Sequence, residues 1–122
     1  MNASITIEVL NFDFSICKVT NVSPRIIDNP FTFTGRTDKE FSLVCQTQFV
    51  PAETISREDG WKAFRVVGEL DFSLIGILSA ISSKLADNKI GIFAISTFNT
   101  DYILVKKENW EKAKDVLKEY ID

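Results

Sequence analysis

The 122-residue chain has a formal net charge of −3 and a pI near 5.0, with 45% hydrophobic and 25% charged residues. That balance supports a packed core and argues against disorder, while Lys and Arg scattered among acids argue against a surface built on phosphate neutralisation. Histidine is absent, which removes the commonest general base and the commonest metal ligand together, so neither a simple catalytic constellation nor a metal site is expected.

In chain order, Ile5 to Leu10, Phe14 to Val19, Phe31 to Arg36 and Phe41 to Gln46 are short runs rich in β-branched and aromatic residues, separated by Asn, Asp, Pro and Gly, and each reads as a strand. Between the second and third, Ser23 and Pro24 offer an N-cap and a proline at the first helical position, and Pro30 limits the helix to a short one. Cys17 and Cys45 lie inside apolar runs, where a free thiol behaves as a small buried hydrophobe, so both are expected to be reduced and inert. The interval from Pro51 to Gly60 is the most polar and turn-prone, which divides the chain into units of residues 1–58 and 59–122.

The second unit begins with a strand over Trp61 to Val67. Leu74, Ile77, Leu78, Ile81 and Leu85 then recur at steps of three and four and predict an amphipathic helix over Ser73 to Asn88, with Gly91 following its end. Ile92 to Ser96 and Tyr102 to Val105 read as a hairpin turning at Asn99 and Thr100. Trp110, Ala113, Val116, Leu117 and Tyr120 share one face of a last helix. The lysines there, Lys106, Lys107, Lys112, Lys114 and Lys118, are interrupted by Glu108, Glu111, Asp115 and Glu119, the pattern of a solvated helix face and not of a nucleic-acid patch. No apolar stretch is long enough to span a bilayer and no leader-like segment opens the chain, which predicts a cytoplasmic protein.

The halves share a pattern. Arg36 to Val44 lies over Thr97 to Val105, with Tyr102 falling 61 residues after Phe41, and both segments read as Asp or Asn, any residue, an acid, an aromatic, any residue, then Leu-Val. The hairpins therefore look like copies of one unit. The second half, β-α-β-β-α, lacks the fourth strand of a β-α-β-β-α-β sheet, and Ile5 to Leu10 is the strand available to supply it.

On these residues the chain resembles tandem ACT-domain proteins, a family that includes the regulatory regions of aspartate kinases and the animal cytosolic arginine sensors. The segments that carry the resemblance are Leu70-Asp71-Phe72-Ser73-Leu74-Ile75-Gly76-Ile77-Leu78 and Ile95-Ser96-Thr97-Phe98-Asn99-Thr100-Asp101-Tyr102-Ile103-Leu104-Val105. The resemblance implies an α+β fold of two ferredoxin-like βαββαβ units, antiparallel sheets with helices on one face, and a homodimer. It implies no cofactor and no catalysis, and an output to a partner enzyme or regulator through a bound free amino acid. The implied ligand site is Leu70, Asp71, Phe72, Ser73, Leu74 and Gly76 at a strand–helix junction, facing Thr97, Phe98, Thr100 and Asp101 on the hairpin. Where the arginine sensors carry acids at the start of the helix this chain has Ser73 and Leu74, which favours a smaller or apolar amino acid over arginine.

Elementary chemistry fits that site. A free amino acid brings a carboxylate, which the spare N–H groups of a helix N-terminus can meet, and an ammonium, for which Asp71 and Asp101 are candidate acceptors. Each residue also has a structural alternative: Asp71 or Ser73 as a helix cap, Gly76 as a packing contact, Phe72 and Phe98 as core aromatics, Asn99 as a turn residue. An interaction module that keeps the fold without the ligand is the alternative function.

Overall fold

The computed structural model describes residues 6–67 and 76–121. Among the described residues six strands and three α-helices follow one another as β1 (Thr6–Lys18), α1 (Pro24–Ile27), β2 (Phe33–Arg36), β3 (Phe41–Gln46), β4 (Ser56–Val67), α2 (Ile77–Asp87), β5 (Phe93–Ser96), β6 (Asp101–Lys106) and α3 (Trp110–Val116). Short 3-10 turns at Thr47–Phe49 and Lys107–Asn109 follow β3 and β6. The class is α+β, with the hairpins antiparallel.

Two expected strands are one. Ile5 to Leu10 and Phe14 to Val19 were separable only through Asn11 and Asp13, and β1 runs through both, since two polar residues on an otherwise apolar and aromatic run do not stop a paired strand. Likewise β4 starts at Ser56, well before Trp61, inside the polar interval.

Contacts divide the chain into two compact units, one discontinuous in sequence, residues 1–11 with 62–122, and one continuous, residues 12–61. Both β1 and β4 contribute to each. In the first unit the strands follow the order β1-β4-β6-β5. Its core gathers Ile7 from β1, Phe64 and Val66 from β4, Ile103 and Val105 from β6, Ile81 and Leu85 from α2, and Trp110, Ala113 and Leu117 from α3. The alternation along β6 puts Ile103 and Val105 against the helices and Leu104 on the opposite face, as period two requires. Phe64 and Trp110 stack with ring centroids 4.6 Å apart, and Ile7 N–H donates to the Tyr120 carbonyl at 2.8 Å.

In the second unit the order is β2-β3-β1-β4. Cys17, Val19, Leu43 and Cys45 form its core, with Ile26 of α1 and Val50 against it. Phe12, Phe14 and Phe31 make a separate aromatic cluster, with centroids 5.1 to 6.5 Å apart. Along β4 the first residues, Arg57 and Asp59 among them, are exposed, while Phe64 and Val66 are buried in the core. Gly60, at φ 85°, lies between them, and a positive φ at a strand interior is the conformation of a bulge, which glycine adopts without penalty.

Helix α2 begins later than the periodicity predicted. Gly76 is its N-cap at φ 88°, not a residue one turn inside it. Among the described residues a Cβ at Gly76 would meet nothing within 4 Å, and the left-handed backbone is what calls for glycine there. The helix ends through Lys89, not Gly91. Lys89 adopts φ 61°, Ile90 N–H donates to the Leu85 carbonyl at 2.9 Å and Lys89 N–H to that of Ala86 at 2.9 Å, the paired bonds of a Schellman motif.

Candidate functional site

The site residues on the helix side, Leu70, Asp71, Phe72, Ser73 and Leu74, lie outside the described residues. Gly76, Thr97, Phe98, Thr100 and Asp101 are described, and all belong to the unit that contains residues 62–122.

The hairpin between β5 and β6 closes through its own side chains. Thr97 N–H donates to the Thr100 carbonyl at 2.8 Å, the Thr97 hydroxyl donates to the same carbonyl at 2.9 Å, and Thr100 N–H returns a bond to the Thr97 hydroxyl at 3.3 Å. A threonine that binds the backbone three residues ahead is a local turn former, which explains the residue type without a ligand. Asp101 is directly opposite Ser96 in the ladder, and Ser96 Oγ donates to Asp101 Oδ1 at 2.5 Å. That cross-strand bond accounts for an acid at the start of a strand and leaves Oδ2 as a second acceptor. Phe98, at the tip, is 84% exposed, so it is not a core aromatic.

One bond leaves the hairpin. Thr100 Oγ1 donates to the Val66 carbonyl at 2.5 Å. Val66 is the penultimate residue of β4, four positions before Leu70, so the hairpin is tied to the end of the strand that leads into the other half of the expected site. Beside the same strand end a surface cavity of about 570 Å³ is lined by Thr6, Ile7, Glu8, Val9, Val67 and Ile121. Glu8 there accepts from Arg65 Nη2 at 2.7 Å and from Nε at 3.0 Å; a hydrogen bond with Tyr102, then these bonds with Glu8, hold the guanidinium above its ordinary pKa.

Sequence reasoning passed over a polar cluster in the other unit. Ser15, with no exposure, donates to Asp59 Oδ1 at 2.6 Å and shares a 2.9 Å bond with Thr47, while Arg57 grips Asp59 through Nε and Nη2. The Ser15 bond, then those from Arg57, hold the Asp59 carboxyl below the usual carboxylate range. A serine in a strand carries no signal of its own, and only the register that pairs it with Cys45 brings it beside these partners. Cys17 and Cys45 are both free and buried; burial, then proximity to Cys17, pushes the Cys45 thiol up to about 11, the state of an inert thiol. Among the described residues no group of three or more Cys, Asp or Glu is arranged to hold a metal, and no helix is long and apolar enough to cross a membrane.

No curated protein matches the chain. Among solved structures it is similar to protein Atu0741 from Agobacterium tumefaciens, at 33% identity and a TM-score of 0.83, over 95% of this chain and 88% of that one. It is also similar to the ligand-free regulatory subunit of aspartate kinase from Thermus thermophilus, at 10% identity and a TM-score of 0.68, over 98% and 99% of the two chains. Aspartate kinase from Clostridium acetobutylicum aligns with 97% of this chain across 34% of its own, at 15% identity and a TM-score of 0.65. The last two likenesses are of fold alone. The ACT domain family profile matches residues 56–119, from the start of β4 to just beyond α3, and the chain belongs to the ACT domain family.

Proposed function

We propose that this chain is a non-catalytic regulatory module that binds a free amino acid between residues 70–76 and the hairpin of residues 97–101. The observation that carries the reading is the Thr100 to Val66 bond, because it ties the hairpin to the end of the strand entering residues 70–76. In this reading Asp101 Oδ2 accepts from the ligand ammonium and the amides after Gly76 meet its carboxylate. Thr97 and Thr100 then serve through the turn they build, with Phe98 as an exposed wall. Leu70, Asp71, Phe72, Ser73 and Leu74 complete the site, and a smaller or apolar amino acid is the ligand class.

Each half, residues 1–58 and 59–122, is read as one copy of a βαββαβ unit in which β1 and β4 each serve both copies. A ligand held at a unit or subunit junction favours the state that binds it better, so the output is a population shift in conformation or in a homodimer, passed to a partner enzyme or regulator. The regulatory aspartate kinase relatives support that direction. A ligand-free interaction module is the second reading, favoured by one observation: the hydroxyls of Ser96, Thr97 and Thr100 all have partners within the protein.

A thermal-shift screen against the free protein amino acids separates the two. A ligand at about 100 times its Kd stabilises the fold by about 2.7 kcal/mol, a visible shift, whereas the interaction module gives none with any amino acid. Asp101→Ala should weaken calorimetric binding about tenfold, the weight of one charge-assisted bond, and leave the melting temperature of the free protein almost unchanged. Unaltered affinity in that variant would remove Asp101 from the site.

A further inference from the structure

Phe31 holds a backbone conformation that aromatic residues avoid. Its φ is 60°, in the left-handed region where a Cβ crowds the following carbonyl, and for a bulky side chain that is a genuine outlier. It stands in the connection between α1 and β2, and its neighbours are tied down: the Thr32 hydroxyl donates to the Asn29 carbonyl at 2.7 Å, and Gln46 Nε2 donates to the Pro30 carbonyl at 3.5 Å. The Phe31 ring lies against Phe12, with centroids 5.1 Å apart, and edge-on to Phe14 at 6.5 Å.

The connection itself does not call for this side chain. β2 begins at Phe33 and β5 at Phe93, so the corresponding place before β5 is taken by Gly91, which has none. The strain at residue 31 therefore comes with carrying a ring there, and the contacts of the ring must offset it. Phe14 has no exposure while Phe12 is 36% exposed, so the cluster is buried on one side and reaches solvent on the other. Phe14 meets both neighbours edge-on, at 88° and 86°, the arrangement in which a positive ring edge faces a negative ring face. Such a place suits a flat ring better than an aliphatic group of the same bulk.

We infer that Phe12 and Phe14 form a site for a small aromatic ring, and that Phe31 is its built-in, strained occupant. An external ring in the place of Phe31 keeps the edge-to-face contacts and lets residue 31 return to negative φ. The exchange gives up the long Gln46 to Pro30 bond and regains the backbone strain, so ring for ring the balance favours release of Phe31. The site lies within residues 12–61 and uses no residue of the proposed amino-acid site.

The test compares the unaltered protein with Phe31→Ala, which removes the ring and keeps a Cβ at the left-handed position, and with Phe31→Gly, which removes both. Phe31→Gly should melt above Phe31→Ala; the reverse order would show that the backbone stores no strain and would overturn the role of Phe31 as a releasable occupant. The probe is phenol, with cyclohexanol as its aliphatic counterpart, titrated by NMR. Phenol should shift the ring signals of Phe12 and Phe14 and bind Phe31→Gly about tenfold more tightly than the unaltered protein, because no ring has to be displaced, and cyclohexanol should bind about threefold more weakly than phenol. Equal phenol affinity with and without the Phe31 ring, or shifts centred on Phe64 and Trp110, overturns the site, and equal affinity for the two probes overturns its aromatic selectivity. If both variants fail to fold, the unaltered protein decides: phenol should shift Phe12, Phe14 and Phe31 together, and no shift up to the solubility of phenol rejects the proposal.

Discussion

A hydroxyl with no exposure must find its bonds inside the protein, and Ser15 finds them in Asp59 and Thr47. Ser15→Ala should therefore cost about 1 kcal/mol, read as a lower urea midpoint with an unchanged slope. The same change has a pH signature. The folded pKa of Asp59 lies below its unfolded value, so its contribution is complete above the unfolded carboxylate pKa of about 3.9 and is lost only as pH falls through the lower, folded value. Losing the Ser15 bond, the largest cause of the lowering, moves the folded value back up. The acid limb of the stability profile should then shift to higher pH in Ser15→Ala; an acid limb at the same pH as in the unaltered protein would mean that Arg57 alone holds the carboxylate.

At the scale of elements, periodicity gave the right kinds and misplaced their ends and phases. The heptad-like spacing from Leu74 to Leu85 signals a helix, yet nothing in it distinguishes an N-cap at Gly76 from a first turn at Ser73, because the cap here is a backbone conformation and not a capping side chain. At the other end Gly91 looked like the stop and Lys89 carries the left-handed residue. That costs a residue with a Cβ about 1 kcal/mol, so Lys89→Gly should raise stability by about 0.5–1 kcal/mol in thermal unfolding, and a loss would show that the lysine side chain contributes more than its strain costs. The repeat is more instructive. Matching Phe41 to Tyr102 aligns similar letters at an offset of 61, but β2 and β5, β3 and β6, and the 3-10 turns after them all recur 60 residues apart. A slip of one exchanges the faces of a strand. At 60, Leu43 corresponds to Ile103, both in helix-covered cores, and the turn-forming Thr37 corresponds to Thr97. At 61 Leu43 would answer to Leu104, which lies on the opposite face. Letters matched where chemistry did not, since Leu and Val occur on both faces of these buried strands.

At the scale of the molecule, the unusual feature is that one unit draws residues from both ends of the chain. The count of strands in the second half pointed to a missing partner, and Ile7 is where the consequence is measurable. It is 1% exposed and shares a core with Phe64, Ile103, Trp110 and Leu117, all more than fifty residues away in sequence. Truncating a buried isoleucine to alanine removes its transfer energy and leaves a cavity, about 2–5 kcal/mol in total. The loss should register where its neighbours are. In Ile7→Ala, native-state hydrogen exchange should accelerate in β6, α2 and α3 before it does in the ladder between β2 and β3, because sub-global opening follows shared contacts and not sequence proximity. Cys45→Ala supplies the reverse case, since Cys45 packs with Cys17 and Leu43, and should loosen β2 and β3 first. A division at the middle of the chain makes the opposite assignment for Ile7, grouping it with β2 and β3. If Ile7→Ala releases the β2–β3 amides while leaving α3 protected, the N-terminal residues belong with the first half after all, and the sharing of β1 between the two units must be abandoned.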